Sequence, residues 1–274
     1  MVAPSVLIAG ALTWDVFGAE RRAGGAVSFA ARAAAALGVR ARILTIAGVD
    51  ASTDAFYGHD VHVVSAQSTL TFEHEVHGEH RRLRVLARPE RALVATDIPR
   101  GWLGASMGVA ILGPLLADDL DVRSLAGVGL ERVGLLGQGL QRSVGQDGVV
   151  AEAGAPSPQL FDVLSRRCSL FLSEEECLAW PAGALDQVVE VSERVVVTRG
   201  SAGAEVLEPG GSRSLVAPVH AEVVDATGAG DTFATAFFLG VTVLGLGVAE
   251  AGVLASRLAA SKVGLVGAAA LPRM

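Results

Sequence analysis

Cysteine is scarce in this chain: Cys168 and Cys177 are the two in 274 residues, too few for a disulfide framework or a thiolate metal cluster, and a reducing compartment is expected. Aromatic residues make up 5% against 51% hydrophobic overall, so the interior has to be packed from aliphatic side chains. Positive charge is thin. A net charge of -7 with no long basic run argues against nucleic acid as a partner; the one basic cluster, Arg81, Arg82 and Arg84, falls on an alternating, strand-like segment. Two phosphate-binding signatures are missing as well. No GxxxxGK[ST] occurs, and no GxGxxG follows a strand, because Gly228-Ala229-Gly230 runs on into Asp-Thr-Phe, which argues against P-loop and dinucleotide chemistry.

A mean hydropathy of +0.46 raises the question of a membrane, and residues 232–249 carry no charge. That stretch holds three glycines and has no basic anchors beside it, so a buried helix is expected and no membrane span. No basic n-region with an apolar h-region opens the chain, and a cytoplasmic protein is expected. Cys177 reads most simply as a small buried residue.

Length predicts one large α/β domain over 1–274. Val6 to Ala9 reads as a first core strand, followed by a loop with Asp15, the pair Gly24-Gly25, an alanine-rich helix over 26–37 stopped by Gly38, and a second strand over Ile43 to Ala47. Between 60 and 90 the period changes to two, with a hairpin turn expected at His77-Gly78, so a small β-rich lobe is predicted there. From Val109 the α/β rhythm returns, with strands predicted near 109–112, 132–136, 169–172 and 194–198 and helices on both faces of a mostly parallel sheet. The open edge of the β lobe invites a partner, so a homodimer through it is a further expectation. His74, His77 and His80 have a spacing that suggests metal ligands on a helix; in a strand they alternate faces, and a solvated or lobe-lining role is the better reading.

The segment richest in chemistry is Asp225-Ala226-Thr227-Gly228-Ala229-Gly230-Asp231, between an expected strand at Glu222–Val224 and a long apolar helix. Glycines at a helix start leave backbone N–H groups aimed at one point, and the helix dipole favours an anion there. Asp231 adds a carboxylate in the same turn, where it could take a proton from an alcohol beside a bound phosphoryl group. The bland alternative is a tight strand-to-helix turn capped by an aspartate.

These residues resemble the ribokinase-like (PfkB) family of carbohydrate and nucleoside kinases over most of the chain. GGAVSFAARAAAALG at 24–38 with ILTIAGVD at 43–50 is similar to its first signature, DATGAGDTFATAFF at 225–238 to its second, and LFLSEEE at 170–176 and VVVTRGSAGA at 195–204 to two internal nucleotide-site motifs. The resemblance implies a three-layer α/β/α sandwich with a mostly parallel central sheet and a small β lid, and an ATP-dependent phosphotransferase using Mg2+. It makes Asp231 the base and Gly228, Ala229 and Gly230 the anion hole. Asp15, Gly24, Gly25 and Phe29 fall at acceptor-binding positions, with Gln138 facing the acceptor at the end of its strand. Thr198, Gly200 and Gly203 fall at the nucleotide phosphates, with Ser173 and Ser256 nearby. Glu176 is implied in magnesium handling through water, and Asp225, Thr227 and Gly267 in holding a monovalent cation such as K+, which many members do not use. Three positions depart from the pattern: Ser173 stands for an asparagine beside Glu176, Phe29 for a substrate-binding asparagine, and Ser256 for an asparagine near the adenine. GGAVSF, residues 69–86 and LLGQGLQR at 135–142 are similar to inositol kinases, which puts a polyol ahead of a furanose sugar and a nucleoside third. A catalytically silent ligand-binding protein of the same fold is the alternative from another class.

Overall fold

The computed structural model describes residues 5–77, 80–102 and 107–274, without the side chains of Ser5, Val76, His77, His80, Arg81 and Met107. In chain order its strands are β1 (Ser5–Ala9), β2 (Thr13–Phe17), β3 (Glu20–Gly24), β4 (Ala41–Ala47), β5 (Asp60–Ser65), β6 (Leu70–His77), β7 (His80–Ala87), β8 (Met107–Leu112), β9 (Arg132–Leu136), β10 (Arg142–Val144), β11 (Val150–Glu152), β12 (Cys168–Ser173), β13 (Arg194–Thr198), β14 (Ala204–Glu208) and β15 (Ser212–Val216). The α-helices are α1 (Ala26–Ala36), α2 (Val122–Ala126), α3 (Pro158–Phe161), α4 (Glu174–Leu178), α5 (Ala184–Val191), α6 (Ala229–Thr242) and α7 (Val248–Val263).

Nine strands form the central sheet in the order β15-β14-β13-β12-β9-β8-β1-β4-β5. The pairings from β13 through β5 are parallel, and β14 and β15 add an antiparallel edge. The inner strands are apolar on both faces, as parallel strands between helical layers must be: Val6, Leu7 and Ile8 of β1 and Val195 and Val196 of β13 are at most 1% exposed. On one side α1, α6 and α7 pack on each other and on the sheet, while α5 lies on β13 and β14. The architecture is thus the three-layer α/β/α sandwich expected. The uncharged stretch 232–249 becomes most of α6, a turn and the start of α7, and no helix among the described residues is long and apolar enough to cross a membrane.

A second sheet of four strands, ordered β3-β2-β6-β7, stands apart from the first. Here the structure corrects three sequence expectations. The lobe expected over 60–90 loses β5, which pairs with β4 and extends the central sheet, and it gains β2 and β3 from the N-terminal segment. Alternation hides this, because an exposed edge strand and a lid strand share the same period. Asp15 lies on β2, not in a loop. Glu222–Val224 forms no strand: Val223 and Val224 are more than half exposed, and the amides of Val224 and Asp225 bond the Val263 carbonyl at the end of α7. The expected hairpin is present as β6 paired with β7; of its expected turn, Gly78 lies outside the described residues.

Candidate active site

In a parallel sheet the loops after the strands' carboxyl ends form the crevice that receives ligands. Several of the expected residues lie in such loops. The turn Gly137–Gln141 follows β9, Ser173 ends β12, and the one-turn 3-10 helix Gly200–Ala202 follows β13. The start of α6 faces the same crevice.

That start is shaped by Gly228, which adopts φ 76° and ψ 6° as the residue preceding the helix. A Cβ there would lie 2.3 Å from the Phe29 ring, so both the left-handed backbone and the close approach demand glycine. Ala229 N–H is used by the Ala226 carbonyl at 3.2 Å, whereas among the described residues nothing accepts from the amides of Gly228, Gly230 or Asp231. A Cβ on Gly230 would meet open space. Three unpartnered amides at the positive end of a fourteen-residue helix are donors of the kind an anion can accept from.

Asp231 lies in the first turn of α6. It keeps some accessible surface, yet protein surrounds it closely enough that desolvation pushes its carboxyl from 3.8 to about 6, with the Arg142 cation working against the rise and Asp15 adding to it. The same interactions put Asp15 and Arg142 in Asp231's neighbourhood. Asp15 Oδ1 is 3.0 Å from His74 Nε2, and Oδ2 is 3.5 Å from the Thr13 hydroxyl. The imidazole is stacked on Phe17 with ring centroids 4.4 Å apart. Gly24 makes room for this carboxylate, since a Cβ there would fall 2.2 Å from Asp15 Oδ2. Gly25 then precedes α1 at φ 93°. Arg142 is held by the Leu115 carbonyl at 3.4 Å and Glu152 at 3.3 Å. Gln138 sits in the turn after β9 and is part-exposed, while its neighbour Gln141 is fully buried and accepts from Ser157 N–H at 3.3 Å. Phe29 is 3% exposed and packs beneath the Gly228 backbone.

On the opposite side, Ser173 and Glu176 form a reciprocal cap of α4: Ser173 Oγ accepts from Glu176 N–H, and Glu176 Oε2 from Ser173 N–H at 3.0 Å. Burial raises the Glu176 carboxyl above its usual range. A carboxylate at this place is the kind of oxygen ligand that would hold a hydrated magnesium ion. Thr198 Oγ1 donates to the Leu172 carbonyl at 3.4 Å, and Gly200 and Gly203 both have positive φ, 51° and 92°. Arg199, between Thr198 and Gly200, pairs with Glu174 and Glu205. Ser256 Oγ donates to the Ala217 carbonyl at 3.0 Å.

The residues that the resemblance assigns to a monovalent cation lie where the segment leading into α6 meets the one leaving α7. Asp225 Oδ1 and Oδ2 accept from the amides of Thr227 and Gly267, each at 2.9 Å. Burial works to raise this carboxyl, but those bonds outweigh it and hold the group below the usual carboxylate range. The backbone oxygen of Asp225 accepts from Lys262 Nζ. Sequence reasoning passed over Lys262, Arg142 and the His74–Asp15 contact. The first carried a signal: of 22 basic residues Lys262 is the one lysine, the other 21 being arginine.

With this geometry in view, the likenesses to known proteins fall into place. Residues 164–273 match the family described as pfkB family carbohydrate kinase. The bifunctional protein HldE of Halorhodospira halophila is 32% identical over 93% of this chain and 54% of its own length, so the chain spans about half of this curated relative. A pyrophosphate-dependent kinase in the ribokinase family, complexed with a pyrophosphate analog and myo-inositol, superposes with a TM-score of 0.79 at 16% identity over 98% of this chain and 97% of that one. Arabidopsis thaliana ribokinase, complexed with ribose and ATP, gives 0.72 at 18% identity over 99% of this chain and 96% of that one. The chain has the ribokinase-like fold, and its resemblance to the PfkB family holds.

Proposed function

We propose that this protein is a kinase that moves the γ-phosphoryl group of ATP to a hydroxyl of a small polyol or sugar, with an inositol-like ring ahead of a pentose or hexose. The observation that carries this reading is Asp231, a carboxylate with its pKa raised to about 6 in the same turn as three unpartnered amides. A base poised near neutral pH is ionised yet basic enough to take a proton from an alcohol as the O–P bond forms. Asp15 is suited to hold the acceptor, because a carboxylate accepts two hydroxyl donors at once. The acceptor hydroxyl gives its proton to Asp231, its oxygen bonds the γ-phosphorus, and the bond from that phosphorus to the β-phosphate oxygen breaks, leaving ADP. The amides of Gly228, Gly230 and Asp231 then face the charge of the migrating group, and Arg142 adds a cation. Magnesium, when bound, would neutralise the donor's phosphate charge, with Glu176 the residue to hold it through water.

Phe29, packed under the Gly228 backbone, brings no polar group to this site. That supports a ring with an unsubstituted face, and the neighbour bound to myo-inositol supports a cyclic polyol. The same neighbour uses pyrophosphate, so the donor is tested alongside the acceptor. An ATP donor makes the cytoplasm the expected location. The lid sheet ends at β3 on one side and at β7 on the other, where Val85 N–H bonds the Gly148 carbonyl; β3 is thus the edge open to a second copy, and size exclusion tests that homodimer. Release of ADP or phosphate is to be measured with polyols, pentoses, hexoses and nucleosides against ATP, GTP and pyrophosphate. Turnover with a cyclic polyol supports the reading, turnover only with a nucleoside moves the acceptor, and silence across the panel favours a ligand-binding protein.

A further inference from the structure

Two loops meet behind the anion seat. One is residues 224–228, leading into α6; the other is residues 264–267, leaving α7. Lys262, in the last turn of α7, lies between them. Its Nζ donates to the carbonyls of Asp225 and Leu265, each at 3.0 Å, and stands 5.6 Å over the centre of the Phe29 ring. The residue is 1% exposed. The carboxylate of Asp225 is bound to Thr227 and Gly267, with the part-exposed Arg22 guanidinium 3.6 Å from its Oδ2, so one negative group meets Arg22 from outside while the Lys262 ammonium is the cation buried inside the junction. These are the residues that the family resemblance assigns to a monovalent cation.

We propose that the Lys262 ammonium takes that seat itself, so that the protein is independent of potassium. An ammonium group is a compact point charge close in size and valence to K+, and two backbone carbonyls with a carboxylate nearby suit either. A planar guanidinium would not enter so small a space. That accounts for the composition: a chain that uses arginine 21 times keeps its single lysine here, buried and pointing at carbonyl oxygens. The cation also holds the turn. Asp225 is three residues before Gly228, and the Phe29 ring is near both the ammonium and that glycine's backbone, so Lys262 acts on the amides through the turn and is a positioning residue.

The test is thermal unfolding of the full chain in KCl, NH4Cl, NaCl and tetramethylammonium chloride at equal ionic strength. The readout needs no substrate, so its outcome stands apart from that of the kinase reading. The wild type is expected to melt at one temperature in all four salts. Lys262→Ala opens a cavity and is expected to melt lower in tetramethylammonium, recovering by about 3 °C or more in K+ or NH4+ as the ion binds the native state. Lys262→Met fills the space with an apolar chain and is expected to show no recovery. A wild type stabilised by K+ over tetramethylammonium would overturn the proposal. So would a Lys262→Ala protein that melts alike in all salts.

Discussion

If Asp231 is kept basic by being desolvated, its charge should weaken the fold that holds it. Replacing it with asparagine removes the charge and keeps the shape. The carboxyl is lifted from 3.8 to about 6, so between those values the native state holds a proton that the unfolded chain has released. Stability therefore falls as pH rises through this window and is flat above it. Roughly two pH units at about 1.4 kcal/mol each give a cost of about 3 kcal/mol at pH 8, of which about half is already present at pH 5. Asp231→Asn should recover it. Urea unfolding of both proteins at pH 5, 6, 7 and 8 measures the difference directly, and groups titrating alike in both cancel. The variant is expected to be more stable by about 3 kcal/mol at pH 8, with the gain shrinking by about half toward pH 5. Turnover should be lost while donor binding persists. An asparagine variant no more stable than the wild type at pH 8, or one whose gain ignores pH, would refute the claim that burial sets this group.

The acid limb of kcat/KM should fall near pH 6, where Asp231 takes up its proton, and it should move to higher pH in Arg142→Gln, because the arginine favours the ionised form; a limb that stays in place would separate Arg142 from the base. Gly228→Ala forces a Cβ onto the Phe29 ring from a left-handed backbone, so the melting point should drop with a loss of about 2 kcal/mol or more and the initial rate should vanish. Asp15→Ala should raise the acceptor KM by about a hundredfold, the scale of about 3 kcal/mol for a lost charged hydrogen-bond partner, with the donor KM unchanged.

The turn at 225–231 was legible because its chemistry is local: glycines and a carboxylate within one helix start can be read without knowing what lies opposite. The core strands near 109, 132, 169 and 194 were legible for a similar reason, each being a short apolar run between turn residues. What escaped depends on residues far apart in the chain. Asp15 meets His74 across 59 positions, and only the parallel register of β2 on β6 brings them together. Strand β5 shares its alternation with β6 and β7, and what divides them is the partner each bonds. Lys262 sits in a helix with alternating apolar and polar residues, where a lysine in the last turn reads as a favourable dipole contact. Its burial comes from the loop that folds back over it.

The carboxylate proposed to grip the acceptor rides on β2, a strand of the small sheet, while the base rides on α6 against the large one. No single rigid layer carries both. The gap between grip and base is therefore governed by how the cover sits, and a molecule spanning the two would draw the cover down by its own attachment.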